Sequence, residues 1–335
     1  MRRCKKKFRW RFPFFGSGDL FAGTAPEKEK WLPKFGKRLY TGGMEKAKVL
    51  VTGAAGVAGR ETVRQLLAAG YAVRMADVSA PSEKFIGAEF VRCDTRSPQD
   101  AEAAVEGCDA VVHLAAWHCA HIPPVSDATI FAVNVDGTFY VLEACVKFGV
   151  KAVAYASSMA YGHGGVYSVT KVIGEDLCRT WHHRTGNPIT LLRYHDFVPK
   201  PYLAFGEKLL RNGVDARDVA ASNVASIQKG LDGGFGIFRT IVHTNHGMPD
   251  DVVGDFKTHG LAWCEAQVPG SGALIAKYGI TFPERVEQHD MSEAESTLGW
   301  TPQVSFVTFL QDLAEREARG EDIRSLWALG LIPTA

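Results

Sequence analysis

Residues 49–60 read Val49-Leu50-Val51-Thr52-Gly53-Ala54-Ala55-Gly56-Val57-Ala58-Gly59-Arg60. An apolar, β-branched run stops at a cluster of small residues, and a helical pattern begins at once. Val63, Leu66 and Leu67 fall at helical spacing, and Gly70 is the stop. Such a strand–turn–helix aims the unpaired amides of the first helical turn at one spot. Those donors and the helix dipole favour negative charge there, and a diphosphate fits. The glycines let the backbone turn tightly, approach a ligand and pack the helix close to the strand. Gly-x-x-Gly-x-x-Gly is not specific by itself; its context makes it so. A second strand, Ala72–Asp77, ends in an acid about 20 residues further on, where a carboxylate accepts ribose hydroxyls. The same carboxylate would repel a 2′-phosphate, so NAD is expected rather than NADP.

Strands and helices alternate outward from this stretch. Strands are predicted at Lys48–Val51, Ala72–Asp77, Phe90–Asp94, Ala110–Leu114, Ala152–Ala156 and Ile189–Tyr194. Helices are predicted from about Ser97 to Val105, through Ile130, Val133, Val141, Leu142 and Ala144, and from about Tyr167 to Arg184. This order implies an α/β fold, a doubly wound parallel sheet of Rossmann-like type. Residues 44–198 are read as the dinucleotide-binding domain. Beyond Pro199 the pattern loosens, and 199–335 is read as a smaller substrate lobe whose strands interleave with the sheet. Ligands are expected at the carboxyl ends of the strands, where Gly53, Gly56, Val57, Ala58, Gly59, Asp77, Asp94 and Ser157-Ser158 fall.

Charge is unevenly spread. Residues 1–43 hold 12 Lys/Arg and 3 Asp/Glu, leaving 26 against 34 for the rest of the chain. The first 43 residues are therefore read as a basic, disordered extension, dispensable for the fold. The main domain carries no broad basic surface, so nucleic acid is not an expected partner. Seven cysteines are scattered without paired spacing, which suits a cytoplasmic protein and no disulfide or zinc framework. No apolar run is read as a transmembrane segment. The stretch His243–Asp251 holds two histidines and three acidic or amide groups at poor ligand spacing, so it is read as a surface or substrate loop, and no metal is expected.

Tyr167-Ser168-Val169-Thr170-Lys171 sets a phenol and an ammonium four apart on one helical face. A tyrosine titrates near ~10 and is a poor base at neutral pH. A neighbouring lysine and a nicotinamide cation would both favour the phenolate. A serine at the fifth strand's end would orient the substrate oxygen, and Lys171 would also hold the nicotinamide ribose.

With these residues in place, the chain resembles an extended short-chain dehydrogenase/reductase of the NAD-dependent epimerase/dehydratase family. The resemblance rests on Thr52–Gly59, Asp77, Asp94, His113-Leu114-Ala115-Ala116, Asn134–Thr138, Ser157-Ser158, Tyr161-Gly162, Tyr167–Lys171, Arg193-Tyr194 and Leu298–Pro302. It implies a tightly held NAD, with Asp94 near the adenine and Leu114, Ala115, Ala116 and Tyr194 beside the cofactor. It also implies that Asn134 kinks its helix near the active site, and that helices at 126–148 and 167–184 form a homodimer. The implied substrate is a sugar or nucleotide sugar oxidised at a hydroxyl by epimerisation, dehydration or net redox chemistry. One departure is plain: Ser158 precedes Tyr167 by nine residues, where sugar-nucleotide members have roughly two dozen. Counting from Tyr161-Gly162 selects Ser157 as the active serine, whereas strand register selects Ser158, the preferred reading. The short loop leaves two alternatives open, a catalytically impaired NAD-binding regulatory protein and a reductase of a small non-nucleotide carbonyl substrate.

Overall fold

The structure, a computed structural model, describes residues 47–119 and 123–328; the extension expected over 1–43 lies outside them. The order is β1 (Lys48–Thr52), α1 (Val57–Ala68), β2 (Ala72–Asp77), β3 (Ala88–Arg92), α2 (Pro98–Val105) and β4 (Ala110–His113). Next comes α3 (Asp127–Phe131), which runs through a π-helical turn at Ala132–Asp136 into α4 (Gly137–Lys147). Then follow β5 (Ala152–Ser158), α5 (Gly165–Thr185), β6 (Ile189–Tyr194), α6 (Tyr202–Leu209), α7 (Ala216–Leu231) and β7 (Ile237–Val242).

The apolar runs are continuous because both faces of the sheet are covered. Successive side chains alternate across a strand. Val49 and Val51 therefore join a core with Val63 and Leu66 of α1 and Val219 and Ile227 of α7. Leu50, between them, joins the opposite core with Val105 of α2, Val141 of α4 and Trp181 of α5. The sheet is parallel throughout, in the order β3-β2-β1-β4-β5-β6-β7. Strand order reverses between β1 and β4, which opens a crevice above their carboxyl ends.

Strand ends shift by one or two residues, β1 reaching Thr52, β3 ending at Arg92 and β4 at His113. The third strand begins at Ala88, not Phe90, because Glu89 sits comfortably on this edge strand in an ion pair with Lys48 (2.6 Å). The fifth runs on to Ser158, pairing Ser157 with Arg193 and Ser158 with Tyr194. A seventh strand, β7, was not expected; Ile237, Phe238, Ile241 and Val242 fit a strand, but Arg239 and the glycines before it obscure the pattern.

A third core gathers Tyr202, Leu209, Phe256, Phe306, Phe309 and Leu313 after β6. Buried Asp218 on α7 ties this part of the chain to the sheet layer by accepting the amides of Gln303 (2.8 Å) and Val304 (2.9 Å). The continuous helix Asp127–Lys147 is, by length and composition, apolar enough to cross a membrane, contrary to the reading that no run is. On one face Val141, Leu142, Ala144 and Cys145 are buried in the second core, while Phe131 and Phe139 are exposed.

Candidate active site

A cleft of about 1570 Å³ lies over the β1/β4 crevice, larger than the ~300–1,000 Å³ of ordinary small-molecule sites. One end is the glycine loop. Gly53 adopts φ +66°, and a Cβ there would meet the Ala115 amide at 2.8 Å. A Cβ on Gly59 would lie 2.2 Å from the Gly53 carbonyl oxygen. The first helical hydrogen bond runs from Arg60 N–H to Gly56 C=O (2.9 Å), so the amides of Val57, Ala58 and Gly59 precede the ladder. No acid occupies the first turn of α1 and no side chain caps it. Amides at a helix start, with no Cβ in the way, fit a pyrophosphate.

Asp77, at the end of β2, accepts the Ala55 amide (2.9 Å) through Oδ2 and the Ser79 amide (3.2 Å) through Oδ1. It braces the loop as well as lining the cleft. Asp94 lines the same end, with Arg96 Nε against its carboxylate at 2.9 and 3.1 Å. That guanidinium holds the carboxyl below its ordinary range. Leu114, Ala115 and Ala116 form the floor.

A chain of hydrogen bonds fixes that floor. The Thr138 hydroxyl donates to the Asn134 carbonyl (2.7 Å), so its oxygen accepts from His113 Nε2–H (3.0 Å). His113 Nδ1 then accepts from the Thr52 hydroxyl (2.7 Å), whose oxygen receives the amides of Leu114 and Ala115 (both 3.2 Å). Burial, with the Lys171 charge, pushes His113 down to about 3, so it stays neutral. Asn134 lies within the π-helical turn, a local irregularity that frequently marks functional helices. Its amide donates to the Trp117 carbonyl and the Thr170 hydroxyl (both 3.0 Å) and accepts from the Trp117 amide (2.8 Å). Asn134 thus positions the wall beside the phenol.

The other end holds Tyr167, Lys171 and Ser158, all lining the cleft. The short loop succeeds because Gly162, Gly164 and Gly165 all take φ near the left-handed range, at +79°, +83° and +80°. Tyr167 then enters on the first turn of α5 and lines the cleft with Ser158, with His118 packed edge-on at 4.4 Å. Burial pushes the phenol above its ordinary value, opposed by Ser158. Lys171 stands close to the phenol but is held by another element. The ammonium donates to the Ala156 carbonyl (2.8 Å), sits 5.6 Å from the Tyr167 ring centre, and is itself pushed down to about 8 by burial.

Two residues read as functional line the cleft but commit their hydroxyls to other partners. Ser157, pointing to the opposite face from Ser158, donates to the fully buried Glu175 (2.6 Å), which also holds Arg193 at 2.8 and 2.9 Å. Tyr194 lines the cleft with its ring, but its hydroxyl is committed to Asn223 on α7 (2.6 Å), whose amide bonds Thr62 on α1 (3.1 Å). The stretch His243–Asp251 is no surface loop at its start: His243, Thr244 and His246 are buried. His246 accepts the Phe306 amide (3.2 Å) and bonds the Leu209 carbonyl (2.9 Å), fastening β7 to the third core.

Sequence reasoning passed over His195, Asp196, Asn212, Lys200 and Glu287, which line the cleft beyond β6. A signal did exist for one pair. His195 and His243 each directly follow the last residue of adjacent parallel strands, the His195 amide bonding the Val242 carbonyl at 3.1 Å. Glu287 arrives from a segment 92 positions later than His195 and had none.

Uronate dehydrogenase of Pseudomonas putida is 28% identical over 172 residues, 46% of this chain and 62% of that protein. UDP-glucose 4-epimerase 4 of Oryza sativa is 31% identical over 189 residues, 46% of this chain and 51% of that protein. The chain therefore spans less than two thirds of the length of these relatives. A short-chain dehydrogenase/reductase superfamily protein from Agrobacterium tumefaciens, solved with bound NAD, is similar in fold: TM-score 0.59, 21% identity, covering 82% of this chain and 98% of that one. Residues 49–202, just under half of the chain, match the model of the NAD dependent epimerase/dehydratase family.

Proposed function

We propose that this chain is an NAD-dependent oxidoreductase that acts on a hydroxyl of a sugar or nucleotide sugar. The observation that carries the reading is that Ser158, Tyr167 and Lys171 line the same cleft as the glycine loop. Amides of Val57, Ala58 and Gly59 would bind the pyrophosphate, Asp77 the adenosine ribose, and Lys171 the nicotinamide ribose. Bound NAD supplies the acceptor for a hydride from the substrate carbon. Tyr167 takes the proton of the hydroxyl on that carbon, and Ser158 holds its oxygen. The raised phenol in this structure means that Tyr167 becomes an efficient base only beside added positive charge, which a nicotinamide ring provides.

The two relatives named above act, by their names, on uronates and on UDP-glucose, which supports a sugar-type substrate. The test is incubation of the chain with NAD and a panel of uronates and UDP-sugars, followed at the NADH absorbance and by product chromatography. Tyr167→Phe is expected to keep NAD affinity and to lose turnover by ~10²–10⁴. Undiminished turnover in that variant would reject the assignment.

We also infer a homodimer. Phe131 and Phe139 on the α3–α4 helix and Val169 on α5 are 40%, 44% and 47% exposed, on the two helices that family resemblance assigns to the interface. The six described cysteines are unpaired and five are buried, which supports a reducing compartment such as the cytoplasm.

A further inference from the structure

The cleft wall beyond β6 brings together three donors from distant parts of the chain. His195 Nε2 and His289 Nε2 are 3.1 Å apart. Glu287 Oε1 lies 3.3 Å from the second and 3.6 Å from the first. Zinc bonds of ~2.0–2.1 Å at tetrahedral angles separate neighbouring ligand atoms by about 3.3–3.4 Å. The three observed separations bracket that value and so outline one face of a tetrahedron.

Hydrogen bonding alone does not satisfy this triangle. Where two neutral imidazoles meet through Nε2, one proton lies between them and the other nitrogen presents its lone pair. A single proton on His289 Nε2 can then serve His195 or Glu287, not both. The remaining edges set lone pairs against one another. Behind them a third ring, His243, packs at 4.2 Å from His195 and 5.1 Å from His289, with no exposed surface. Its Nε2 is on the Arg211 carbonyl (3.2 Å), and its buried Nδ1 has no partner. The nearby ammonium groups do not help, since Lys200 and Lys208 are both drawn to Asp196. The cluster holds more electron pairs than protons.

The backbone under it is well fixed. His195 and His243 stand at the ends of β6 and β7, and the Glu287 amide bonds the Leu210 carbonyl (3.2 Å). We propose that His195, Glu287 and His289 bind a divalent transition-metal ion of the zinc type. Two imidazoles and one carboxylate leave a fourth position, as in catalytic zinc centres. That position opens to the cleft, because His195 and Glu287 line it with Tyr167. It would take an oxygen donor: water, a hydroxyl or a carboxylate. The assignment needs no redox chemistry and stands apart from the function proposed above.

The test uses the full chain, stripped with a chelator and titrated with CoCl2 without NAD. Four-coordinate cobalt gives strong visible d–d bands, and elemental analysis after reloading with ZnCl2 gives the stoichiometry. One equivalent is expected, with affinity reduced at least tenfold in Glu287→Gln and in His289→Ala, both at partly exposed positions. Absence of a stoichiometric equivalent at micromolar metal would overturn the proposal. So would unchanged affinity in both variants, which would put the metal elsewhere.

Discussion

Gly59→Ala adds one methyl group at the junction of the glycine loop and α1. Its carbon would stand 2.2 Å from the Gly53 oxygen, 2.7 Å from Ala54 Cα and 2.9 Å from Ala54 C. All three neighbours are backbone, so no side chain can swing aside. Alanine regains up to ~1 kcal/mol of helix propensity. Overpacking a tight site costs about 1–3 kcal/mol, and a contact this short belongs at the upper end. A net loss of about 2 kcal/mol lowers the melting temperature by roughly 4–8 °C in a domain of this size. The clash is relieved only by moving α1 off the loop, which carries the Val57 and Ala58 amides with it. NAD affinity should therefore fall at least tenfold, or ~1.4 kcal/mol. Thermal denaturation and calorimetric titration with NAD read both effects. Gly254→Ala is the matched control, since a Cβ there meets nothing within 4 Å. If Gly59→Ala melted and bound NAD like the parent chain, the close-approach argument would be wrong.

The two serines should separate cleanly. Ser158→Ala is expected to cut kcat by ~10², the scale of losing one donor to a reacting oxygen. Ser157→Ala should leave kcat nearly unchanged and cost ~1 kcal/mol in urea unfolding, because Glu175 keeps its arginine partners. Gly164→Ala forces a side chain onto φ +83° at a cost of ~1–2 kcal/mol. Since Tyr167 follows three residues on, turnover should drop with it; equal turnover would show that the loop does not set the phenol. Acid should destabilise the protein through His113. Its folded value of about 3 lies below its unfolded value of 6.5, so the unfolded chain protonates first. The contribution is complete above 6.5 and is lost as pH falls toward 3, at up to ~1.4 kcal/mol per pH unit. Urea unfolding at pH 7, 6 and 5 should give a shallower slope for His113→Gln, and an unchanged slope would contradict the neutral assignment.

The central strands were legible because burial on both faces leaves an unbroken apolar run, as at Val49–Val51 and Ala110–Val112. Edge strands lose that signal: β3 carries exposed Glu89 and Phe90, and β7 carries exposed Ile237 and Arg239. The glycine loop and the Tyr167–Lys171 pair are local in sequence, so spacing alone suffices to group them. Their electrostatics are not local. Lys171 is four residues from Tyr167, yet the Ala156 carbonyl captures its ammonium from another element. The His195–Glu287–His289 triangle is wholly a product of folding, for His195 and His289 are 94 residues apart.

The crossing from β5 to α5 has a further consequence. Nothing lies within 4 Å of the Cβ directions at Gly162, Gly164 and Gly165, and 162–165 are exposed, while Tyr161 just before them is held under the Arg193 guanidinium at 3.8 Å. Length there is a free variable. A longer segment spliced in at 162–163 would grow outward over the cleft mouth, with Gly164 and Gly165 still delivering the chain to Tyr167. What is admitted and what is done to it are thereby encoded in different pieces of the chain, and grafting one should not rewrite the other.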